Sequence, residues 1–211
     1  MKEYKLPIGC DVPETIILAD GDFPSHPLAL EWLRQCLYVV CCDGAANTYI
    51  RSGRMPEAIV GDGDSLLPDI KERYASLIHS EAEQETNDLS KAFRFCLSQE
   101  RKRITIMGAT GKREDHTIGN VSLLADYMEQ AEVSMMTDYG IFVPIREDSM
   151  FESYIGQQIS VFNMNSTALS AEGLAYPLSV FTNWWQGTLN EALARHFIIR
   201  TEGKVLVFRV F

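Results

Sequence analysis

The chain has no run of 18 or more apolar residues, which excludes a single-helix membrane span. Residues 1–14 lack the extended apolar stretch that a secretory signal needs, so a cytoplasmic protein is expected. Basic residues are scarce: 19 Lys and Arg stand against 29 Asp and Glu, a formal net charge of −10. That balance argues against nonspecific binding to nucleic acid or to an anionic membrane, both of which need basic patches. The five cysteines (Cys10, Cys36, Cys41, Cys42, Cys96) are odd in number and have no metal-ligand spacing. Cys41 and Cys42 fall inside an apolar run and read as small buried hydrophobes of a reducing compartment. Three phosphate and metal signatures are also missing. There is no P-loop, no Gly-x-Gly-x-x-Gly at the first strand, and no EF-hand, because the twelfth residue counted from Asp62 is Arg73. No internal repeat or low-complexity segment is visible.

What is present is an ordinary globular composition, 46% hydrophobic and 23% charged, over 211 residues, enough for one large domain or two unequal ones. To about residue 145 short apolar runs alternate with helical patterns. The runs at 15–19, 37–41, 58–60, 104–107 and 133–136 are almost wholly apolar, as strands covered on both faces of a parallel sheet must be. Between them the pattern predicts helices at 27–35, 45–50, 68–78, 88–99 and 115–128, the first opened by Pro27. The expectation is a mostly parallel α/β domain over residues 1–145. Beyond Pro144 the rhythm becomes short segments, 149–154 and 157–162, punctuated by Gly156, Gly173, Pro177 and Gly187. Strands at 196–200 and 205–210 around 201–204 predict a closing hairpin. Residues 146–211 therefore read as a small all-β domain, which needs the first domain and a second copy of itself for support.

Acidic loops follow the strands. Gly61-Asp62-Gly63-Asp64-Ser65 comes straight after a predicted strand, Asp43 follows another, and residues 81–88 end in Asp88 at a helix start. Loops at the carboxyl ends of strands form the ligand crevice of an open α/β sheet. Three carboxylates about 5 Å apart repel by roughly 3 kcal/mol per pair at an effective dielectric near 20. A hard divalent cation removes that penalty. Any one of these acids alone reads as a turn residue or helix cap, and Asp20-Gly21-Asp22 is read as a turn or a substrate-side loop. Gly108-Ala109-Thr110-Gly111-Lys112-Arg113-Glu114-Asp115-His116 joins a strand to a helix. Its glycines let backbone N–H groups approach phosphate oxygens, and Arg113 can hold a phosphate through two parallel hydrogen bonds. An ordinary strand-to-helix turn, capped by Asp115, is the competing reading.

Taken together these segments resemble the thiamine pyrophosphokinase family. The likeness is carried in order and spacing by Asp43-Gly44-Ala45-Ala46-Asn47, residues 61–65, Asn87-Asp88-Leu89-Ser90-Lys91-Ala92, and residues 108–116 with Asn120. Gly173-Leu174-Ala175-Tyr176-Pro177-Leu178 and Gly187-Thr188-Leu189-Asn190-Glu191 extend it into the C-terminal part. The resemblance implies a Rossmann-like α/β domain followed by a small β-sandwich, working as a homodimer. It implies Mg²⁺-dependent transfer of the pyrophosphoryl group of ATP to the hydroxyl of thiamine, giving thiamine diphosphate and AMP. By that likeness Asp62, Asp64 and Asp88 hold the metal, and Asp43 either binds metal or orients the thiamine hydroxyl. Gln84, Asn87, Lys91, Gly108, Gly111, Arg113, Asp115 and His116 lie on the ATP side, with Lys91 and Arg113 also catalytic. Tyr176 stacks on thiamine and Asn190 contacts it. Two departures bear on the acceptor. Leu189 stands where the family usually has Ser, and Trp184-Trp185 lies just upstream, read either as reshaping the pocket or as packing between domains or subunits. Leu189 keeps open a related transferase with another heterocyclic alcohol as acceptor. A non-catalytic binding module predicts loss of a metal acid or of Arg113, and all are present.

Overall fold

The protein is described by a computed structural model covering residues 1–7, 11–81, 83 and 85–211. Its parallel strands are β2 (Thr15–Leu18), β3 (Val39–Cys42), β4 (Ala58–Gly61), β5 (Ile78–Ser80), β6 (Arg103–Met107) and β7 (Glu132–Met136). Every residue of β2, β3 and β4 is buried, which is why these segments read as unbroken apolar runs. The helices α1 (Pro27–Gln35), α2 (Ala45–Arg51), α3 (Pro68–Arg73), α4 (Asp88–Ser98) and α5 (Glu114–Tyr127) cover the two faces.

Local chemistry explains where the helices begin. His26 caps α1 by accepting the Leu28 N–H at 3.3 Å, and Pro27 fills the first helical position, where an N–H has no intrahelical partner. Asn87 caps α4 by accepting the Ser90 N–H at 3.0 Å. From there Leu89, Ala92, Phe93 and Cys96 recur at helical spacing and bury one face. Glu114 and Asp115 open α5, where acidic side chains suit the positive helix end. Helix α3 stops at Arg73, short of the residue 78 expected. A single 3-10 turn follows at Ala75–Leu77, and β-branched Ile78 pairs with Ile59 as edge strand β5. A short apolar stretch fits either structure, and the sheet edge decided it.

The C-terminal half contributes β8 (Gly140–Ile145), β9 (Ser149–Glu152), β10 (Gln158–Asn163), β11 (Leu169–Glu172), β12 (Asn190–Glu191), β13 (His196–Thr201) and β14 (Val205–Val210). Strand β8 pairs antiparallel with β7 on one side and β14 on the other. The large sheet therefore runs without interruption through ten strands in the order β12-β10-β14-β8-β7-β6-β2-β3-β4-β5. Facing its C-terminal end is a four-stranded sheet, β1-β9-β13-β11, in which β1 (Lys2–Tyr4) runs parallel to β9. Phe151, Phe197, Ile199, Val161 and Val207 fill the space between the two sheets. Phe151 stacks on Tyr4 at 4.8 Å and on Phe197 at 5.0 Å. Arg209 is buried there too. It donates to the carbonyls of Glu152 and Lys5, both at 3.0 Å, and so ties the N-terminal segment to the sandwich.

The expected closing hairpin does not form. Strands β13 and β14 belong to different sheets, each as an interior strand. Residues 201–204 carry the chain across the sandwich. Gly203 has φ 128°, and a β-carbon on it would lie 2.8 Å from Ser166 Cα. Thr201 Oγ1 donates onward, and the Asn165 carboxamide accepts the Lys204 N–H at 2.7 Å. Alternating apolar residues on two consecutive strands fit a hairpin and an arch between sheets equally well. Pairing with distant β9 and β10 settles which forms. Among the described residues no helix is long and apolar enough to cross a membrane.

Candidate active site

The chain fills the sheet from β2 through β5 in one direction, then returns to place β6 on the other side of β2. The loops after β2 and β6 are bonded through Gly21–Gly108 and Asp22–Thr110, beyond which the chain leads off in opposite directions along the sheet, and a crevice opens above them. A cavity of about 460 Å³ lies there, lined by the loops after β2, β4 and β6, the end of β3 and the start of α4.

Three acids converge beside it. Asp43, Asp62 and Asp64 each offer an oxygen within 4.8 Å of the others. Asp43 is only 2% exposed; one carboxylate oxygen accepts the Ser65 N–H at 3.1 Å and the other is buried without a partner. Burial pushes its carboxyl up to about 6; the Ser65 bond opposes this, and the fields of Asp88 and Asp62 and the Asp64 side chain add to it. The loop is held in shape around the acids. Asp62 accepts the Asp64 N–H at 3.2 Å, and Lys71 donates to the Gly63 carbonyl at 2.8 Å. Asn47 donates to the Ser65 carbonyl and accepts the Leu67 N–H. A β-carbon at residue 61 would lie 2.7 Å from Asp43 Cβ and 3.4 Å from Asp88 Cγ, so Gly61 is what lets these acids approach. A buried, unpartnered carboxylate oxygen among like charges, with three carboxylates offering converging oxygens, fits a hard divalent cation.

Three cations line the same crevice, each resting on a carboxylate. Lys91 is 2% exposed and donates to Asp88 at 3.1 Å. Burial alone lowers its pKa, but Asp88, Asp62 and Glu83 together leave it above the ordinary lysine value. Arg113 makes a two-pronged pair with Asp115, at 3.0 and 2.5 Å, which holds Asp115 down at about 2. Lys112 reaches the Asp20 carbonyl at 2.9 Å and its carboxylate at 3.0 Å. An ion pair as exposed as this last one is worth about 0.2–1 kcal/mol. Lys112 has φ 55°, in the left-handed region that costs a residue with a β-carbon roughly 1–2 kcal/mol.

The glycine loop is shaped by its neighbour. Gly21 N–H donates to the Gly108 carbonyl at 2.6 Å and Asp22 N–H to the Thr110 carbonyl at 2.8 Å. Gly108 (φ 64°) and Gly111 (φ 79°) have no room for a β-carbon, which would run into the Ala19 carbonyl and the Asp22 carboxylate respectively. Asn87 donates to Asn120, and Asn120 donates to the Ala109 carbonyl, which joins the start of α4 to the loop. His116 also lines the crevice. Gln84, expected on the ATP side, lies outside the described residues. Asp20 and Lys112 were not among the site residues expected from sequence, although two adjacent cations after a glycine turn were a visible signal.

Tyr176 and Asn190 lie elsewhere, at the β12 edge of the sandwich. Five strand spacings, about 24 Å along the sheet, separate β12 from β6, the nearer side of the crevice. Asn190 is buried, accepting the Tyr176 and Glu191 N–H groups and donating to the Tyr176 carbonyl at 2.8 Å. Its side chain pins the aromatic's backbone. Tyr176 (64% exposed), Trp185 (73%) and Leu189 (78%) project outward, with Leu189 at φ 61°. Trp184 stands edge-on to Phe162, 5.9 Å away.

An acid-lined crevice at the switch point of a parallel sheet, continued into a β-sandwich, defines a two-part α/β protein with a candidate cation site. The thiamin pyrophosphokinase catalytic-domain model matches residues 29–136, and the model of that family's substrate-binding domain matches residues 140–208. The chain belongs to the thiamin pyrophosphokinase family. It is 30% identical over 129 residues to thiamine pyrophosphokinase 1 of Oryza sativa subsp. japonica, covering 49% of each chain. It is 34% identical over 86 residues to thiamine pyrophosphokinase of Bacillus subtilis (strain 168), covering 39% of this chain and 40% of that one. The matched stretch spans about half the length of the rice relative. The fold is similar to solved thiamin pyrophosphokinases from Candida albicans (TM-score 0.80, 18% identity, covering 100% of this chain and 93% of that one) and from Bacillus subtilis (0.77, 21%, 93% and 98%).

Proposed function

We propose that this protein catalyses Mg²⁺-dependent transfer of the pyrophosphoryl group of ATP to the hydroxyl of thiamine, releasing AMP. The observation that carries the proposal is the Asp43, Asp62 and Asp64 cluster, facing buried Lys91 and the glycine loop across one crevice. Asp62 and Asp64 would hold Mg²⁺, with Asp88 and Asp43 beside them. When bound, the ion neutralises phosphate charge and the mutual repulsion of the acids. Transfer of this kind asks the protein for alignment and charge neutralisation more than for covalent help. Lys91 is fixed by Asp88 and Arg113 by Asp115, and both line the crevice, which supports a role for them in meeting charge that builds on the donor. Asp43, with its raised pKa and unpartnered oxygen, is placed to accept a proton or to meet a cation.

Tyr176 would stack on the acceptor, a cation with two aromatic rings. Tyr176 stands at the β12 edge, five strand spacings from β6 at the crevice, which supports a site whose two halves come from different protomers. A homodimer, in which the sandwich edge of one copy meets the crevice of the other, supplies the missing wall. The exposed Tyr176, Trp185 and Leu189 support that reading. The buried free thiols of Cys36, Cys41, Cys42 and Cys96 suit the reducing cytoplasm assigned to it.

The test is mass-resolved product analysis of the purified protein with ATP, Mg²⁺ and thiamine. Thiamine diphosphate formed with equimolar AMP, and lost on chelation, is expected. AMP or ADP without thiamine diphosphate would redirect the search to other heterocyclic alcohols at the Leu189 and Trp185 surface.

A further inference from the structure

Lys112 lines the same crevice as Asp62, Lys91 and Arg113, yet the reaction proposed above gives it no role. Its backbone adopts a left-handed conformation that glycine would take without strain. In return it makes one exposed hydrogen bond to the Asp20 carbonyl and one ion pair with the Asp20 carboxylate, in which the two side chains are 53% and 47% exposed. A pair so open to water contributes too little to offset the backbone strain. Nor does it hold the two loops together, since the Gly21–Gly108 and Asp22–Thr110 backbone hydrogen bonds already do so. Neither turn geometry nor stability accounts for a lysine here. Strain retained without a stability return is a mark of functional positions.

The electrostatics of the crevice supply the reason. A polyphosphate entering it meets Asp20, Asp43, Asp62, Asp64 and Asp88. Lys112 stands on the glycine-loop side, on a long stem, with its ammonium parked on a carboxylate that is half exposed. It can change partner without losing a buried contact. Lysine acts as a mobile point charge toward phosphate, which suits such an exchange.

We propose that Lys112 binds the polyphosphate of the nucleotide donor, exchanging the Asp20 carboxylate for a phosphate oxygen. The proposal rests on the nucleotide-donor reading above and deepens it. No bond is made or broken in this step.

The test compares wild type, Lys112→Gly, Lys112→Arg and Asp20→Asn in the full chain. Affinity for a non-hydrolysable ATP analogue with Mg²⁺ is measured by calorimetry, and Tm is recorded alongside. Lys112→Gly should keep or raise Tm while weakening analogue binding about tenfold or more, as expected for one hydrogen bond to a charged group. Lys112→Arg should retain most of the affinity. Asp20→Asn, which removes the competing carboxylate, should bind the analogue as tightly as wild type or more tightly. Unchanged affinity in Lys112→Gly would overturn the proposal, as would a loss of affinity accompanied by a fall in Tm. Weakening in Asp20→Asn equal to that in Lys112→Gly would overturn it too, because the pair would then act as a structural unit. If wild type itself binds no nucleotide, the donor reading falls and Lys112 with it. If wild type binds and Lys112→Gly binds equally well, only Lys112 falls.

Discussion

The crevice and the β12 edge of the large sheet solve opposite problems. Around the crevice, polar groups are fixed before any ligand arrives: Asn47 braces the acid loop, Asn87 and Asn120 brace the glycine loop, and Lys91 is buried against Asp88. At the β12 edge the backbone is equally well fixed, by Asn190 on Tyr176, but the side chains it presents are uncovered. Charge can be organised inside one protomer because carboxylates and ammonium groups balance one another locally. An apolar surface can be satisfied only by something that covers it. The crevice groups are thus braced within the chain, whereas Tyr176, Trp185 and Leu189 are braced only through their backbone and stay exposed.

The largest effect that would sharpen this contrast comes from the acid side. Asp64→Asn should cut turnover by about 100-fold or more, on the order of losing one stabilising group at the transition state, while leaving the fold intact. Steady-state rates with circular dichroism check this, and near-wild-type turnover would remove Asp64 from the metal set. A smaller effect is expected on the sandwich side. Tyr176→Ala should raise the KM for thiamine about tenfold and leave that for ATP nearly unchanged. Equal shifts in both constants would break the division between the crevice and the β12 edge.

The smallest effect is the pH response of Asp43. Its folded-state pKa is raised to about 6 from the ordinary 3.8, so in the metal-free protein its contribution favours folding most when it is protonated. That contribution is lost as pH rises from the ordinary carboxylate range through about 6. Bound Mg²⁺ reverses the sign, because the metal needs the ionised form. Mg²⁺ affinity should therefore weaken about fourfold between pH 7.5 and pH 5.5, through the fraction of Asp43 ionised. Calorimetric titration at the two pH values measures this, and equal affinities would exclude Asp43 from the metal's surroundings.

Much of the α/β half was readable in the chain. Fully buried strands must be apolar throughout, so β2, β3 and β4 announced themselves, and Pro27 and Asp88 marked where α1 and α4 begin. The acids were readable because they sit in loops directly after those strands. Other features depended on remote partners. Ile78 could continue a helix or join a sheet edge, and β1 pairs with a strand nearly 150 residues away. The reach of Lys112 to Asp20 spans 92 positions in sequence.

The sequence by itself determined the periodicity of burial, the helix starts and the order of the acidic loops, because each depends on side chains a few residues apart. Tertiary contacts decided that β13 and β14 part into facing sheets, that Asn190 spends its hydrogen bonds on Tyr176, and that the crevice lies mid-sheet, several strands from the β12 edge. Those outcomes depend on which distant surfaces bury each other, and alternation along a strand carries no information about its partner.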